Sequence, residues 1–248
     1  MIRINPAYDP AALAGAYAAS GKRMQVRDFL VAEDATRIHE ILRGKTPWWL
    51  VFNEGAQVRQ LPPEYLASLS QAQLNQMLIG VQERARREYQ YLYQFHPMIS
   101  TYFTPSAPKA PILAVMEWLN QPATLAWFRT LLGRPEIQWA DAHATLFRSG
   151  NFLKEHTDAD DANTRVTAYV LNFSPGWQRD WGGFLQFFDA NNDVEAGFCP
   201  AFNAINLFDV PQDHSVGMLS SFCTGHRYSV TGWFRSDPPP GPFGRVAF

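Results

Sequence analysis

His156 and Asp158, separated by one threonine, are the first residues in this chain whose types and spacing could bind a metal. Residues two apart on an extended strand point to the same face, so an imidazole and a carboxylate at this spacing could hold one ion from one side. A two-residue match occurs often by chance, and the acidic run over residues 158–161 is also typical of a solvated polar loop. The pair therefore needs a third ligand to indicate a metal site.

His214 is the candidate third ligand among the six histidines of the chain. It follows Pro211 between two apolar runs, where the imidazole could point from a strand end towards the first pair or could cap the turn. Two histidines and one carboxylate form the facial triad of non-haem iron(II) sites, which leaves positions open for other ligands. His143 and His226 are competing ligands, although the cation of Arg227 would disfavour a metal at the adjacent His226.

Arg227 opens a strand-like segment, RYSVTGW, in which alternation puts Arg227, Ser229, Thr231 and Trp233 on one face. A buried guanidinium is costly unless it is paired, and a carboxylate is its natural partner. No nearby acidic residue supplies that partner in the sequence. The carboxylate of a ligand is one hypothesis, and a salt bridge to a distant Asp or Glu is the other.

The elements that position these residues differ between the two halves of the chain. The first 137 residues are predicted to be mainly helical support, with a strand at residues 23–30 and helices at residues 32–42, 70–93 and 111–132. After residue 138, short apolar runs separated by turn residues predict antiparallel strands of a sandwich or barrel. These runs cover residues 139–147, 165–173, 182–189, 201–210, 214–219 and 226–234. We expect one domain over residues 1–248, with a β core at 138–236 and a Pro-rich tail at 237–248.

Composition excludes several classes of protein. Apolar residues make up 46%, aromatic residues 14% and charged residues 18% of the chain, which argues against disorder, a coiled coil or collagen. A net charge of −2 provides no basic field for a phosphate backbone, so direct nucleic-acid binding is not expected. No run approaches a signal peptide or a membrane span, and we expect a cytoplasmic protein that does not bind a membrane. Cys199 and Cys223 lack CxxC spacing and are expected to be free thiols.

Taken in order, His156, Asp158, His214 and Arg227 resemble the metal ligands and cosubstrate arginine of the Fe(II)/2-oxoglutarate-dependent dioxygenases, specifically their prolyl 4-hydroxylase-like branch. The resemblance covers about residues 147–234. Its segments are FRSGNFLKEHTD, RVTAYVLNFSPGWQRDWGG, NLFDVPQDHSVGML and HRYSVTGWF. The helical first half contributes little to it.

This resemblance implies an α+β, mainly β fold, a double-stranded β-helix (jelly roll, cupin-like) with an N-terminal helical buttress. It implies that His156, Asp158 and His214 bind Fe(II). It also implies that Arg227 pairs with the distal carboxylate of 2-oxoglutarate, the cosubstrate used together with O2, and that ascorbate could support turnover.

Other cosubstrate contacts are implied less directly. Thr231 and Ser229 are expected beside the 2-oxoglutarate carboxylate. Relatives often carry cosubstrate-binding tyrosines where this chain has Phe147 and Asn172, so the resemblance places the amide of Asn172 in the cosubstrate site. Tyr169 is three residues from Asn172, so on a strand its side chain points to the opposite face, and it is expected to pack in the core.

The activity implied by the resemblance is hydroxylation of a C–H bond, with release of succinate and CO2. A prolyl residue in a protein or peptide is the leading substrate. A free amino acid or small metabolite is an alternative, and a non-catalytic metal-binding jelly-roll module is another. A buried Arg227 argues against that module, because a metal binder does not need a guanidinium. The sequence predicts no particular oligomeric state.

Overall fold

Strands rich in β-branched and aromatic residues form the frame of the molecule, as the apolar runs predict. In the computed structural model, which describes residues 1–244, thirteen strands join one antiparallel sheet. They are β1 (Arg23–Val26), β2 (Trp49–Glu54), β3 (Gln57–Leu61), β4 (Tyr91–His96), β5 (Trp139–Ala140), β6 (His143–Phe147), β7 (Phe152–His156), β8 (Arg165–Asn172), β9 (Leu185–Phe188), β10 (Val194–Phe198), β11 (Ala204–Asp209), β12 (His214–Val216) and β13 (Arg227–Arg235).

The strand order is β1-β11-β8-β13-β6-β4-β7-β12-β9-β10, with β2 and β3 attached to β4 as a hairpin and β5 attached to β13. β4 pairs with β6 at one end and with β7 at the other, so it links the two groups of strands on either side of it. The nearly closed antiparallel sheet confirms the predicted jelly roll. The sheet also contains strands from before residue 138, which the sequence assigned mainly to helical support.

The two faces of the central strands serve different purposes. On β8 and β13, Tyr169 and Val230 pack into the largest apolar core, which includes residues of the helices. Val170 and Thr231 are the next residues along and line an internal cavity on the other face. Alternation along a strand thus separates the buttress side from the cavity side.

The helices of residues 1–244 all lie before residue 133, apart from one short 3₁₀ turn at Arg179–Trp181. They are α1 (Pro10–Ala19), α2 (Ala32–Gly44), α3 (Pro63–Ser68), α4 (Gln71–Ala85), α5 (Met98–Phe103), α6 (Leu113–Leu119) and α7 (Pro122–Leu132). α6 is almost completely buried, and Phe128 of α7 packs against Phe234 of β13 at 4.5 Å between ring centroids. These contacts form the predicted buttress.

Two predicted helices are wrong in their extents. The helix predicted over residues 70–93 ends at Ala85, and the alternating aromatic residues that follow form β4 instead. The helix predicted over residues 111–132 is split into α6 and α7, because Pro122 cannot continue a helix and begins a new one. Neither the β2–β3 hairpin nor β10 was predicted from the sequence.

Two smaller predictions concern the ends of elements and of the chain. α2 covers the predicted residues 32–42 and ends at Gly44, and β1 covers part of the predicted strand at 23–30. Of the Pro-rich tail at 237–248, residues 245–248 lie outside the described part. No helix in residues 1–244 combines the length and the apolar character needed to cross a membrane.

Candidate metal centre

His156, Asp158 and His214 lie together at one end of the strand pair β7–β12. His156 is the last residue of β7, His214 is the first of β12, and the two are direct partners in the antiparallel register. One ligand atom from each of the three residues lies within 4.8 Å of the others. His156 Nε2 lies 3.1 Å from Asp158 Oδ1, and His214 Nε2 lies 3.3 Å from Asp158 Oδ2. The two strands therefore bring together residues that are far apart in sequence.

Main-chain carbonyls orient both imidazoles. His156 Nδ1 lies 2.9 Å from the carbonyl oxygen of Lys154, and His214 Nδ1 lies 2.8 Å from that of Gln212. A carbonyl oxygen only accepts, so each Nδ1–H donates, and Nε2 is the atom of each ring that lies beside Asp158. Metal-binding histidines commonly donate their second ring N–H to a main-chain carbonyl in this way, which leaves Nε2 for the metal.

The backbone at Asp158 differs from the extended strand that its spacing from His156 predicted. It does not continue the extended strand but follows it in a left-handed conformation, with φ of 62°, a region that Asp tolerates better than most residues. Burial raises the pKa of its carboxyl, but hydrogen bonds from His156 and His214 outweigh this effect and hold the pKa well below its usual value. Asp158 is therefore an ionised candidate ligand that a turn places beside the two histidines.

A cavity of about 630 Å³ opens onto these three residues. One part of its wall is apolar, with Phe208 packed 4.6 Å from the ring of His214. Further apolar side chains on this wall are Ala168, Val170, Leu185 and Val216. Such a wall favours the exclusion of water from the metal site.

Arg227 lines the same cavity and is 2% exposed. Its Nε has no hydrogen-bond partner among residues 1–244, and its guanidinium carbon lies 5.1 Å from the ring centroid of Phe147. Burial lowers the pKa of Arg227 to about 10, so the side chain is still a cation at neutral pH. A buried cation without an acidic partner fits a ligand that brings its own carboxylate.

The predicted neighbours of Arg227 divide into two groups. Ser229 and Thr231 line the cavity; the hydroxyl of Ser229 lies 3.0 Å from that of Thr145, and Thr231 donates to the carbonyl of Tyr169. Asn172 is fully buried beside Ser229 in the register but is absent from the cavity wall. Its amide nitrogen donates to the carbonyls of Val170 and Ala204, and its Oδ1 has no partner in the described chain.

Tyr169 packs on the face of the sheet that the helices cover, as its position in the strand predicted. Its hydroxyl donates to the carbonyl of Asp141. The competing histidines are outside the ligand cluster. Among residues 1–244, the group of three or more candidate ligands contains neither His143 nor His226. His143 lines the cavity, where burial lowers its pKa to about 4, while His226 packs against Tyr228.

Several cavity residues were not predicted from the sequence. Tyr89, Tyr91 and Tyr93 form one wall, and the β2–β3 turn at residues 53–58 contributes to its rim. These tyrosines were assigned to the helix predicted over residues 70–93. The segment YQYLYQF nevertheless has the period-two aromatic pattern of a strand. No short-range signal marks the turn as part of the site.

Arg165 and Trp233 also line the cavity. The guanidinium carbon of Arg165 lies 3.8 Å above the indole of Trp233, and its NH1 donates to the main-chain carbonyl of Asp158. Arg165 therefore supports the turn that contains the candidate ligand Asp158.

Comparisons with known proteins agree with this geometry. Residues 142–235, which contain all the candidate ligands and Arg227, match the family model of the 2OG-Fe(II) oxygenase superfamily. A prolyl 3-hydroxylase, OGFOD1 from Mus musculus, is 32% identical over 92 residues. That match covers 32% of this chain and 17% of the mouse protein.

Solved structures resemble the whole chain in fold. A prolyl-4-hydroxylase from Pseudomonas putida superposes with a TM-score of 0.57 at 19% identity, covering 93% of this chain and 100% of that one. A 2OG-Fe(II) oxygenase family oxidoreductase from Burkholderia pseudomallei gives a TM-score of 0.61 at 12% identity, covering 96% and 95%. A prolyl hydroxylase from Trichoplax adhaerens, in complex with a peptide fragment of hypoxia inducible factor, gives 0.54 at 14% identity, covering 91% and 89%.

These comparisons confirm the resemblance to the iron and 2-oxoglutarate-dependent dioxygenases that the sequence motifs indicated. The His-Asp-His donor set described above fits iron(II), and the unpaired guanidinium of Arg227 fits a carboxylate such as those of 2-oxoglutarate.

Proposed function

We propose that this protein is a dioxygenase that uses iron(II), 2-oxoglutarate and O2 to hydroxylate a C–H bond of a prolyl residue in a protein or peptide, with release of succinate and CO2. One observation carries the proposal: the His156-Asp158-His214 cluster and an unpaired buried arginine line the same cavity. A metal site alone would not need the arginine. A salt bridge to a distant acid, the alternative for Arg227, is not present among residues 1–244.

The three ligands would hold iron from one side. His156 and His214 would bind through Nε2, since each Nδ1–H is engaged by a main-chain carbonyl. Asp158 would supply a charged oxygen, and Arg165 steadies its turn through the main-chain carbonyl. A His₂-carboxylate set of this kind suits non-haem Fe(II) and leaves coordination positions for other ligands.

Arg227 would bind the distal carboxylate of 2-oxoglutarate. Its guanidinium is buried and already desolvated, so an incoming carboxylate gains a charge-assisted hydrogen bond that water does not screen. We propose that Ser229 and Thr231 lie beside this carboxylate, because both line the cavity on the same face of β13. The amide of Asn172 is a further proposed contact, for which one of its N–H groups would have to turn from the carbonyl of Val170 or Ala204 to the oxo acid, because the free Oδ1 only accepts.

Bound iron and 2-oxoglutarate supply the oxidising chemistry with O2. The contribution of the protein is to hold the ligands, orient the oxo acid and keep water away from the reacting C–H bond. The apolar wall around Phe208 serves the last of these purposes. The name of the mouse relative supports a prolyl residue as the substrate.

The proposal is tested by measuring succinate. Purified protein with Fe(II), ascorbate and 2-oxoglutarate should release succinate slowly without added substrate, and Asp158→Ala should abolish this release. Asp161→Ala is the matched control, because Asp161 is an exposed carboxylate in the same loop. Release at the wild-type rate by Asp158→Ala would contradict the ligand assignment. Mass spectrometry of prolyl peptides for the gain of one oxygen atom tests the substrate.

A further inference from the structure

Three tyrosines form a continuous wall from the surface to the depth of the cavity. Tyr89 is 44% exposed, and its ring centroid lies 5.8 Å from those of both Tyr91 and His156. Tyr91 lies 5.6 Å from Tyr93, and Tyr93 stacks on Phe147 at 4.8 Å. All three tyrosines line the same cavity as the candidate metal ligands, so a substrate bound beside those ligands can contact their rings.

The hydroxyls of this wall are available to a ligand. No hydrogen bond joins the phenol of Tyr89, Tyr91 or Tyr93 to any residue of the described chain. Elsewhere in the fold, the buried phenols of Tyr17 and Tyr169 are hydrogen-bonded. Each phenol can both donate and accept a hydrogen bond at neutral pH.

The charges in the cavity restrict what can bind there. Among the described residues that line it, Arg165 and Arg227 are cations and Asp158 is the one carboxylate. Both oxygens of Asp158 are engaged by the two histidines. A free amino acid would bring an α-ammonium group into this cavity with no carboxylate left to pair with it, and burial of an unpaired charge is costly.

We propose that Tyr89, Tyr91 and Tyr93 determine substrate specificity, because their hydroxyls bind the amide groups that flank the reacting residue. The cavity then admits peptide segments without positive charge and rejects free amino acids. This proposal rests on the proposed function, because it takes the reacting residue to lie in this cavity. The proposed tyrosine contacts favour a peptide over a free amino acid, which were two of the substrate classes consistent with the sequence.

Binding, rather than turnover, tests this proposal. The protein is loaded with Mn(II) and 2-oxoglutarate, which occupies the metal site without oxidative turnover. It is then dialysed to equilibrium against two probe mixtures, and retention is measured by mass spectrometry. One mixture contains acetylated and amidated heptapeptides with a central proline and neutral flanking residues; the other contains the free amino acids.

We expect the blocked peptides to be retained and the free amino acids to bind at least about 10-fold more weakly. Tyr91→Phe and Tyr93→Phe should each weaken peptide binding about 2- to 10-fold, which is the usual effect of losing one hydrogen bond. Tyr65→Phe is the matched control, because Tyr65 is an exposed tyrosine on α3 outside the cavity wall. Thermal unfolding of each variant shows that it is folded.

Equal retention of free proline, no retention of the blocked peptides, or unchanged peptide affinity in both phenylalanine variants would overturn the proposal. These results are separate from a failure of the proposed function. If the peptides bind through the tyrosines but the iron-loaded enzyme forms no succinate, the proposed function is wrong and the binding wall is not. If succinate forms but the variants bind peptides as the wild type does, the wall is wrong and the function stands.

Discussion

The rings of Tyr93 and Phe147 stack face to face, with centroids 4.8 Å apart and 11° between their planes. Tyr93 belongs to β4, which the helical first half of the chain contributes to the sheet, and Phe147 belongs to the matched oxygenase segment. Phe147 in turn lies beneath the guanidinium of Arg227. One aromatic pair thus connects the tyrosine wall with the proposed cosubstrate site.

This stack should stabilise the fold measurably. A double-mutant cycle with Tyr93→Leu and Phe147→Leu is expected to give a coupling energy of about 0.5–1.5 kcal/mol in chemical denaturation, the usual value for an aromatic pair beyond its burial. Phe147→Leu should also weaken 2-oxoglutarate binding, because Arg227 loses the ring against which it packs. Additive effects of the two substitutions would show that the stack carries no energy of its own.

Arg227→Met should have opposite effects on the free and the liganded protein. Without 2-oxoglutarate the variant should be more stable than the wild type by about 1–3 kcal/mol, because it replaces an unpaired buried cation with an apolar side chain. The stabilisation that 2-oxoglutarate gives the wild type should be lost, and the KM for 2-oxoglutarate should rise at least about 30-fold. Thermal unfolding with and without the oxo acid measures the first two effects.

Arg86→Met is the matched control for this substitution, since Arg86 is a largely exposed arginine in a surface ion pair. Its effect on stability should stay within about 0.5 kcal/mol, with 2-oxoglutarate binding unchanged. A wild-type response to 2-oxoglutarate in Arg227→Met would be incompatible with the proposed carboxylate contact.

Asp141 should make stability depend on pH in an unusual direction. Burial raises the pKa of its carboxyl to about 6 in the fold, despite hydrogen bonding from the main-chain nitrogen of Trp233 and the charge of Arg235. The folded pKa is above the unfolded value, so this residue contributes stability that is present below pH 4 and is lost as pH rises to about 6. The loss should reach about 3 kcal/mol.

Asp141→Asn isolates this effect, because an amide oxygen can still accept from the Trp233 nitrogen and does not titrate. The free energy of unfolding of the wild type, minus that of the variant, should fall between pH 4 and pH 6 and stay constant above that range. A difference that rises with pH over the same range would mean that the folded carboxyl has a lowered pKa.

Gly232 should not tolerate a side chain. A Cβ at this position would lie 2.3 Å from the main-chain oxygen of Asp141, so Gly232→Ala should force β13 away from its neighbour and cost more than about 2 kcal/mol. Gly15→Ala in α1 is the control, since nothing lies within 4 Å of its added Cβ. That control should stabilise the protein by about 0.5–1 kcal/mol. Comparable denaturation midpoints for the two variants would show that the close approach is not needed.

The sequence by itself indicated the candidate metal ligands, Arg227 and the type of fold around them. Alternation in RYSVTGW placed Arg227, Ser229 and Thr231 on one face, and the structure puts all three on the cavity wall. This worked because side-chain direction along a strand depends only on local backbone geometry. The types of the candidate ligands and their order in the chain carried the resemblance that implied the metal set.

Only the tertiary structure decided how those residues meet and what else joins them. Asp158 reaches the histidines through a left-handed turn rather than along a strand, and local spacing does not distinguish the two. Tyr89, Tyr91 and Tyr93 became part of the site because β4 pairs with both β6 and β7, which is a long-range contact. The sequence likewise did not show that Arg227 is unpaired, since any distant acid could have been its partner. In the folded chain, none of the described acidic residues forms a salt bridge with Arg227.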